Sequence, residues 1–239
     1  MRAWSRVLGI GLVGMLACAP TERGPDPVRS DAGQRSSTTD ASPARSPSSP
    51  EGGDPRPVVL FLGTSLTAGY GLEDPTQAFP GLIQQKIDSA GMGFRVVNGG
   101  VSGDTSAGGL RRLEWLLNEP VRVLVLELGA NDGLRGLALE QLRANLLEAI
   151  RQTRARHPEA RVLVAGMEAP PNLGERYTGD FRAVFRQVAE DTGSTWLPFL
   201  LDGVAGDPAL NQADGIHPTE EGHRRVAEHL WSTLEPLLR

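Results

Sequence analysis

Lysine is nearly missing from this 239-residue chain, in which Lys86 stands against 23 Arg, a bias that looks like codon usage in a GC-rich genome. Cysteine is equally scarce. Cys18 is the only one, which excludes an intramolecular disulfide framework and a cysteine-built zinc site. No block of like basic charge occurs, and the net charge of −5, from 29 acids and 24 bases, argues against nucleic acid as a partner. Long apolar runs are also lacking. The longest near the start, Val7 to Ala17, has 11 residues, well short of the roughly 20 that a membrane-spanning helix needs. What remains is 39% hydrophobic and 22% charged, an ordinary soluble composition.

That composition is unevenly spread. Arg2 and Arg6 precede the 11-residue apolar run, the plan of a secretory signal. The run ends Met15-Leu16-Ala17-Cys18, which resembles a bacterial lipobox, with Met15 where Leu is usual. The resemblance implies a signal peptide over residues 1–17 and lipidation of Cys18 as the new N-terminus. An ordinary signal peptide with an incidental Cys is the alternative, but Met15-Leu16-Ala17 lacks its small-x-small cleavage pattern. From Ala19 to Pro57, Pro, Gly and Ser make up 19 of 39 residues, with Val28 the sole branched aliphatic. Such a segment cannot offset its ordering entropy by burial. Residues 18–57 are therefore expected to form a disordered tether, roughly 35 Å end to end as a flexible coil. The expected location is the cell envelope, on a membrane through Cys18, facing the periplasm or exterior.

Residues 58–239 hold the aliphatic runs and suffice for one sizeable core. Val58 to Leu62, Phe94 to Val97, Val121 to Leu126, Arg161 to Val164 and Thr195 to Leu197 read as strands. Between them lie helical stripes: Leu139, Leu142, Leu146 and Ile150; then Phe181, Val184, Phe185 and Val188; and last Val226, Leu230, Leu234 and Leu237. Five alternations predict an α/β domain, a five-stranded parallel sheet in a three-layer, flavodoxin-like arrangement.

Ligands of such a sheet bind at the carboxyl ends of its strands. The segments there are Gly63-Thr64-Ser65-Leu66-Thr67, Asn98 to Thr105, Gly129-Ala130-Asn131-Asp132-Gly133 and, past the last strand, Asp214-Gly215-Ile216-His217-Pro218. Ser65 needs a base to take its proton, and His217 is the best placed of the four histidines. Asp214, three residues earlier, can turn back to orient the imidazole. Gly103 offers a backbone N–H, Asn131 a side-chain amide and Ser65 its own N–H to a developing oxyanion. Each residue has a plainer reading. Ser65, Gly103 and Asn131 are all common turn formers, and Asp104 and Asp132 suit loop shaping. His223 and His229 fall on different helix faces from each other, form no metal pair, and are expected to be solvated.

In that order, each after an expected strand, the four segments resemble the SGNH, or GDSL, hydrolase family, in particular its thioesterase I, lysophospholipase and arylesterase branch. The four naming residues match Ser65, Gly103, Asn131 and His217. The resemblance implies ester or thioester hydrolysis through an acyl-Ser65 intermediate, with catalytic residues Ser65, Asp214 and His217 and an oxyanion hole of Ser65, Gly103 and Asn131. It implies no metal or organic cofactor and a small-molecule or lipid ester as substrate; a monomer is the expected state. Carbohydrate O-acetyl esterase activity and non-catalytic lipid or glycan binding are the rival readings. One departure stands out: Thr64 occupies the position before the nucleophile where the family usually has Asp. Gly63 to Thr67 is also not the G-x-S-x-G elbow of α/β-hydrolases.

Overall fold

The computed structural model describes residues 54–239. The expectations for Cys18, the signal segment and all but the last four tether residues lie outside the described residues. Of those four, Arg56 pairs with Asp54 at 2.6 Å, and the Pro57 carbonyl accepts from Arg95 N–H at 3.0 Å.

Among the described residues, five parallel strands form one sheet: β1 (Val58–Gly63), β2 (Arg95–Gly100), β3 (Val121–Glu127), β4 (Arg161–Ala165) and β5 (Thr195–Leu197), in the order β2-β1-β3-β4-β5. Every residue of β1 is buried, because this central strand is paired on both edges and covered on both faces; its unbroken apolar run is the signature of that position. The second strand continues three residues beyond the expected Val97. Asn98, Gly99 and Gly100 pair with Phe61, Leu62 and Gly63, since β1 offers a ladder partner along its full length.

Among the described residues, seven α-helices connect and flank the strands: α1 (Ser65–Ala68), α2 (Phe79–Ser89), α3 (Ser106–Leu116), α4 (Ala130–Leu134), α5 (Leu139–Arg156), α6 (Glu175–Thr192) and α7 (Glu220–Leu234). Contacts run from α2 to α7 and separately along α3, α5 and α6. Right-handed crossovers explain why α2 is separated from α3, α5 and α6: the chain moves one way from β1 to β2 and the other way from β2 onward; α7, after the last strand, packs beside α2. The three-layer arrangement follows. Of the expected stripes, Leu142, Leu146 and Ile150 on α5, all four residues on α6, and Val226, Leu230 and Leu234 on α7 are buried. Leu139 and Leu237 are only partly covered. Among the described residues, no helix is long and apolar enough to cross a membrane.

The reversal of strand order falls between β1 and β3, and there the carboxyl ends of neighbouring strands open a crevice. The fold thus carries the loops after β1, β2 and β3 to one place.

Two expectations about histidines are overturned. His223 is 1% exposed, and its Nδ1 accepts from Phe79 N–H at 3.2 Å. Phe79 opens α2, whose cap residue Ala78 contributes no side-chain acceptor. The first N–H groups of a helix need partners from elsewhere, and α7 supplies one. His229 is part-buried, with Nε2 2.9 Å from the Phe199 carbonyl. Neither ring is the solvated group that helix phase alone suggested.

Candidate active site

Gly63 ends β1 and lets the chain turn directly into α1. A Cβ there would lie 2.0 Å from Thr67 Oγ1 and 2.5 Å from Glu127 Oε2, so only glycine fits the approach of this turn to β3. Ser65 is the first residue of α1, which leaves its N–H among the orphan donors of a helix start.

Ser65 Oγ lies 2.9 Å from His217 Nε2, and His217 Nδ1 lies 2.6 Å from Asp214 Oδ2. Residues 152 positions apart are brought together, as the strand-end argument expected. For Nε2 to accept the serine proton, Nδ1 must carry the ring hydrogen and donate it to Asp214. Asp214 also accepts from the N–H groups of Ile216 at 2.9 Å and His217 at 3.0 Å, so the Asp-Gly-Ile-His segment folds on its own carboxylate as an Asx-type turn. Hydrogen bonding from the His217 ring, then from the His217 and Ile216 N–H groups, holds this carboxyl down to about 2, against an ordinary 3.8. The Tyr70 ring leans on the imidazole, with centroids 4.6 Å apart.

Gly103 and Asn131 stand beside Ser65 and His217 around one cavity. Gly103 has φ +81°, a left-handed conformation that suits glycine. Asn131 Nδ2 donates to the Asp104 carbonyl at 2.8 Å; a primary amide carries two N–H donors, so a second is left for a ligand. Asp104 pairs with Arg112 at 2.7 Å. The same guanidinium donates to the Gly63 carbonyl at 2.7 Å and to that of Gly99, tying the end of β1 to the loop that holds Gly103. Asp104 therefore shapes its loop, and Asp132 does the same by accepting from Ser106 N–H at 2.8 Å, as their residue type suggested.

The cavity encloses about 510 Å³, within the usual span of small-molecule sites. Its wall is largely apolar, with Leu134, Met167, Phe199, Leu201, Ala205 and Ile216 contributing. Two loops supply part of it: Tyr70 comes from the stretch after α1, and Pro170 and Pro171 from the stretch after β4. The contribution of Phe199 to Ala205 was not anticipated. That stretch carries no motif, and only the packing of the chain after β5 brings it to the site.

Glu127 was also missed as a structural element of the site. Its carboxylate is fully buried and accepts from Thr64 N–H at 2.8 Å, Thr64 Oγ at 3.0 Å and Thr67 Oγ at 2.7 Å. Burial pushes this carboxyl up from its ordinary range, against the pull of the threonine hydrogen bonds. A signal was present, since an acid closing an otherwise apolar central strand has to find partners.

A profile described as the GDSL-like lipase/acylhydrolase family matches residues 61–225. Esterase TesA of Pseudomonas aeruginosa is 45% identical over 182 residues, covering 76% of this chain and 89% of that protein. Thioesterase 1/protease 1/lysophospholipase L1 of Escherichia coli K12 is 36% identical over 182 residues, covering 76% and 85%. Among solved structures, a crystal structure of TesA superposes with a TM-score of 0.72 at 44% identity, over 75% of this chain and 99% of that one. The psychrotrophic esterase EstA from Pseudoalteromonas sp., inhibited by monoethylphosphonate, gives 0.71 at 32% identity, over 76% and 98%.

Proposed function

The chain belongs to the GDSL-like lipase/acylhydrolase family and hydrolyses esters, and we propose that it does so through an acyl-enzyme on Ser65. The observation that carries this reading is the aligned series Ser65 Oγ, His217 Nε2, His217 Nδ1 and Asp214 Oδ2, with contacts of 2.9 and 2.6 Å. Ser65 Oγ attacks the carbonyl carbon while His217 Nε2 takes its proton. Asp214 holds the ring in the required tautomer and stabilises the imidazolium. The tetrahedral oxyanion is received by the N–H groups of Ser65 and Gly103 and by the Asn131 amide. As the carbon–oxygen or carbon–sulfur bond to the leaving group breaks, His217 returns the proton to it. A water, deprotonated in turn by His217, then attacks the acyl-serine carbonyl and releases the acid with Ser65 restored.

The apolar wall of the cavity supports acyl chains as the group bound there. It also favours lysophospholipid, aryl ester and acyl thioester substrates over an acetylated glycan, whose two-carbon acyl group would leave most of the wall formed by Leu134, Met167 and Phe199 uncovered. The N-terminal sequence supports export and a lipid anchor at Cys18, from the arginines before the apolar run and the Ala17-Cys18 junction. A monomer near an envelope membrane is the matching state.

The test is hydrolysis of p-nitrophenyl esters from acetyl to palmitoyl by the protein and by Ser65→Ala. Ser65-dependent turnover, fastest on chains longer than acetyl, is the expected result. Folded protein with no Ser65-dependent turnover at any length would overturn the reading. Incorporation of labelled palmitate that Cys18→Ala abolishes tests the anchor.

A further inference from the structure

Glu127 closes β3 with a carboxylate that solvent does not reach, and the reaction steps above leave it unused. Oε2 accepts from Thr64 N–H at 2.8 Å, Thr67 N–H at 3.3 Å and Thr67 Oγ at 2.7 Å, while Oε1 accepts from Thr64 Oγ at 3.0 Å. These donors bracket Ser65, coming from the residue before it and from the one two places after. Ser65 itself sits in a helix of four residues, too short to hold its own orientation by helix propagation. Thr64 and Thr67 are both 0% exposed, so no water replaces a bond that is lost here.

Resting on the reading of Ser65 as the nucleophile, we propose that Glu127 is a positioning residue. It acts as a multiple acceptor that sets the turn of Thr64 to Thr67 so that Ser65 Oγ faces His217 and Ser65 N–H faces the cavity. Shape carries the role rather than charge. Both backbone N–H groups end on Oε2, whereas Oε1 meets only a hydroxyl, which accepts as readily as it donates. A glutamine therefore fits in one orientation, with its carbonyl oxygen in place of Oε2 and its amide donating to Thr64 Oγ. This also gives Thr64 a purpose. The family's usual Asp at position 64 would make that hydrogen bond only with one carboxyl of the pair protonated, whereas the threonine hydroxyl makes it unaided.

The experiment compares kcat and KM on p-nitrophenyl butyrate for the wild type and for Ser65→Ala, Glu127→Ala, Glu127→Gln and Thr67→Val, with thermal melts to select a temperature at which each is folded. Glu127→Ala should lower kcat on the order of 100-fold, the effect of roughly 1 Å of misplacement, with KM nearly unmoved. Glu127→Gln should recover most of that loss, staying within about tenfold of wild type, the equivalent of one hydrogen bond. If Glu127→Ala does not fold, Thr67→Val and Glu127→Gln decide: a drop in kcat at constant KM in Thr67→Val supports the role. Wild-type kcat in folded Glu127→Ala, or in Thr67→Val where the alanine variant fails to fold, overturns it. Glu127→Gln as slow as Glu127→Ala overturns the geometric account in favour of charge. Hydrolysis that survives in Ser65→Ala overturns the functional reading and this role with it, whereas Ser65-dependent hydrolysis indifferent to Glu127 overturns this role alone.

Discussion

Asp132 accepts two hydrogen bonds from Ser106, one from its N–H at 2.8 Å and one from its Oγ at 2.6 Å. Both residues are buried, and Ser106 Oγ in turn accepts from Asn145 Nδ2 at 2.8 Å. The pair joins the start of α3 to the start of α4, so it holds the loop of Gly103 against the loop of Asn131. Ser106→Ala leaves one oxygen of Asp132 and the amide of Asn145 short of a partner. The expected loss is about 1–3 kcal/mol of stability, read from denaturant melts, with a fall in kcat at temperatures where the variant is folded. A stability unchanged within error would show that water takes over both bonds.

Asn131 is expected to act at the oxyanion and in holding its own loop, through Asp104. Asn131→Ala should lower kcat on the order of 100-fold to 1,000-fold, as the loss of one oxyanion donor does elsewhere, with a smaller change in KM. Steady-state kinetics on a soluble aryl ester decides this. A change confined to KM would remove Asn131 from the oxyanion and leave it a loop tie only.

The pH dependence of turnover should owe nothing to Asp214 in the working range. Its carboxyl is depressed to about 2 from 3.8. The favourable contribution of the charged form is therefore complete above about pH 4 and is lost only as pH falls toward 2. Asp214→Asn should lower kcat roughly 1,000-fold to 10,000-fold, as in other Ser-His-Asp sites where the imidazole tautomer is lost. Retention of wild-type turnover in Asp214→Asn would remove it from the triad.

Acid stability is expected to depend on His223. Burial first, and the nearby charge of His217 second, bring its ring down to about 4 from 6.5. The unfolded chain binds the proton more readily, so stability is complete above about pH 6.5 and falls as the pH drops toward 4. Taken at full effect, that is about 3 kcal/mol. Denaturant melts at pH 7.5 and pH 4.5 should show this loss in the wild type, and His223→Gln should reduce it. Equal pH slopes in the two proteins would show that His223 is not the cause.

The wall of the cavity is expected to decide chain length. Ala205→Phe would place a large side chain in a space lined by Leu201, Phe199 and Met167. Activity on the longest p-nitrophenyl esters should fall about tenfold or more relative to butyrate, the discrimination expected for displacing one or two methylenes from an apolar pocket. A profile with unchanged relative rates would place the acyl chain elsewhere.

The amino-acid sequence by itself determined the five strands, the parallel sheet, and the strand-end loops that carry Ser65, Gly103, Asn131, Asp214 and His217. Each of these is written in contiguous residues: an apolar run, a helical stripe, a polar group directly after a strand or, for Asp214 and His217, one short Asp-Gly-Ile-His segment past the last strand. Only the tertiary structure decided what depends on two distant segments meeting. Helix phase says nothing about which neighbour covers a face, so His223 read as solvated, yet α2 arrives with an uncapped Phe79 N–H and takes its Nδ1. Thr64 was legible as a departure from the family, but its partner Glu127 lies 63 positions away across the β1–β3 ladder. The cavity wall from Phe199 to Ala205 has no periodicity of its own and acquires its place from the turn after β5. A local pattern records what a residue prefers, whereas burial and hydrogen-bond partners are set by whichever segment the folded chain brings beside it.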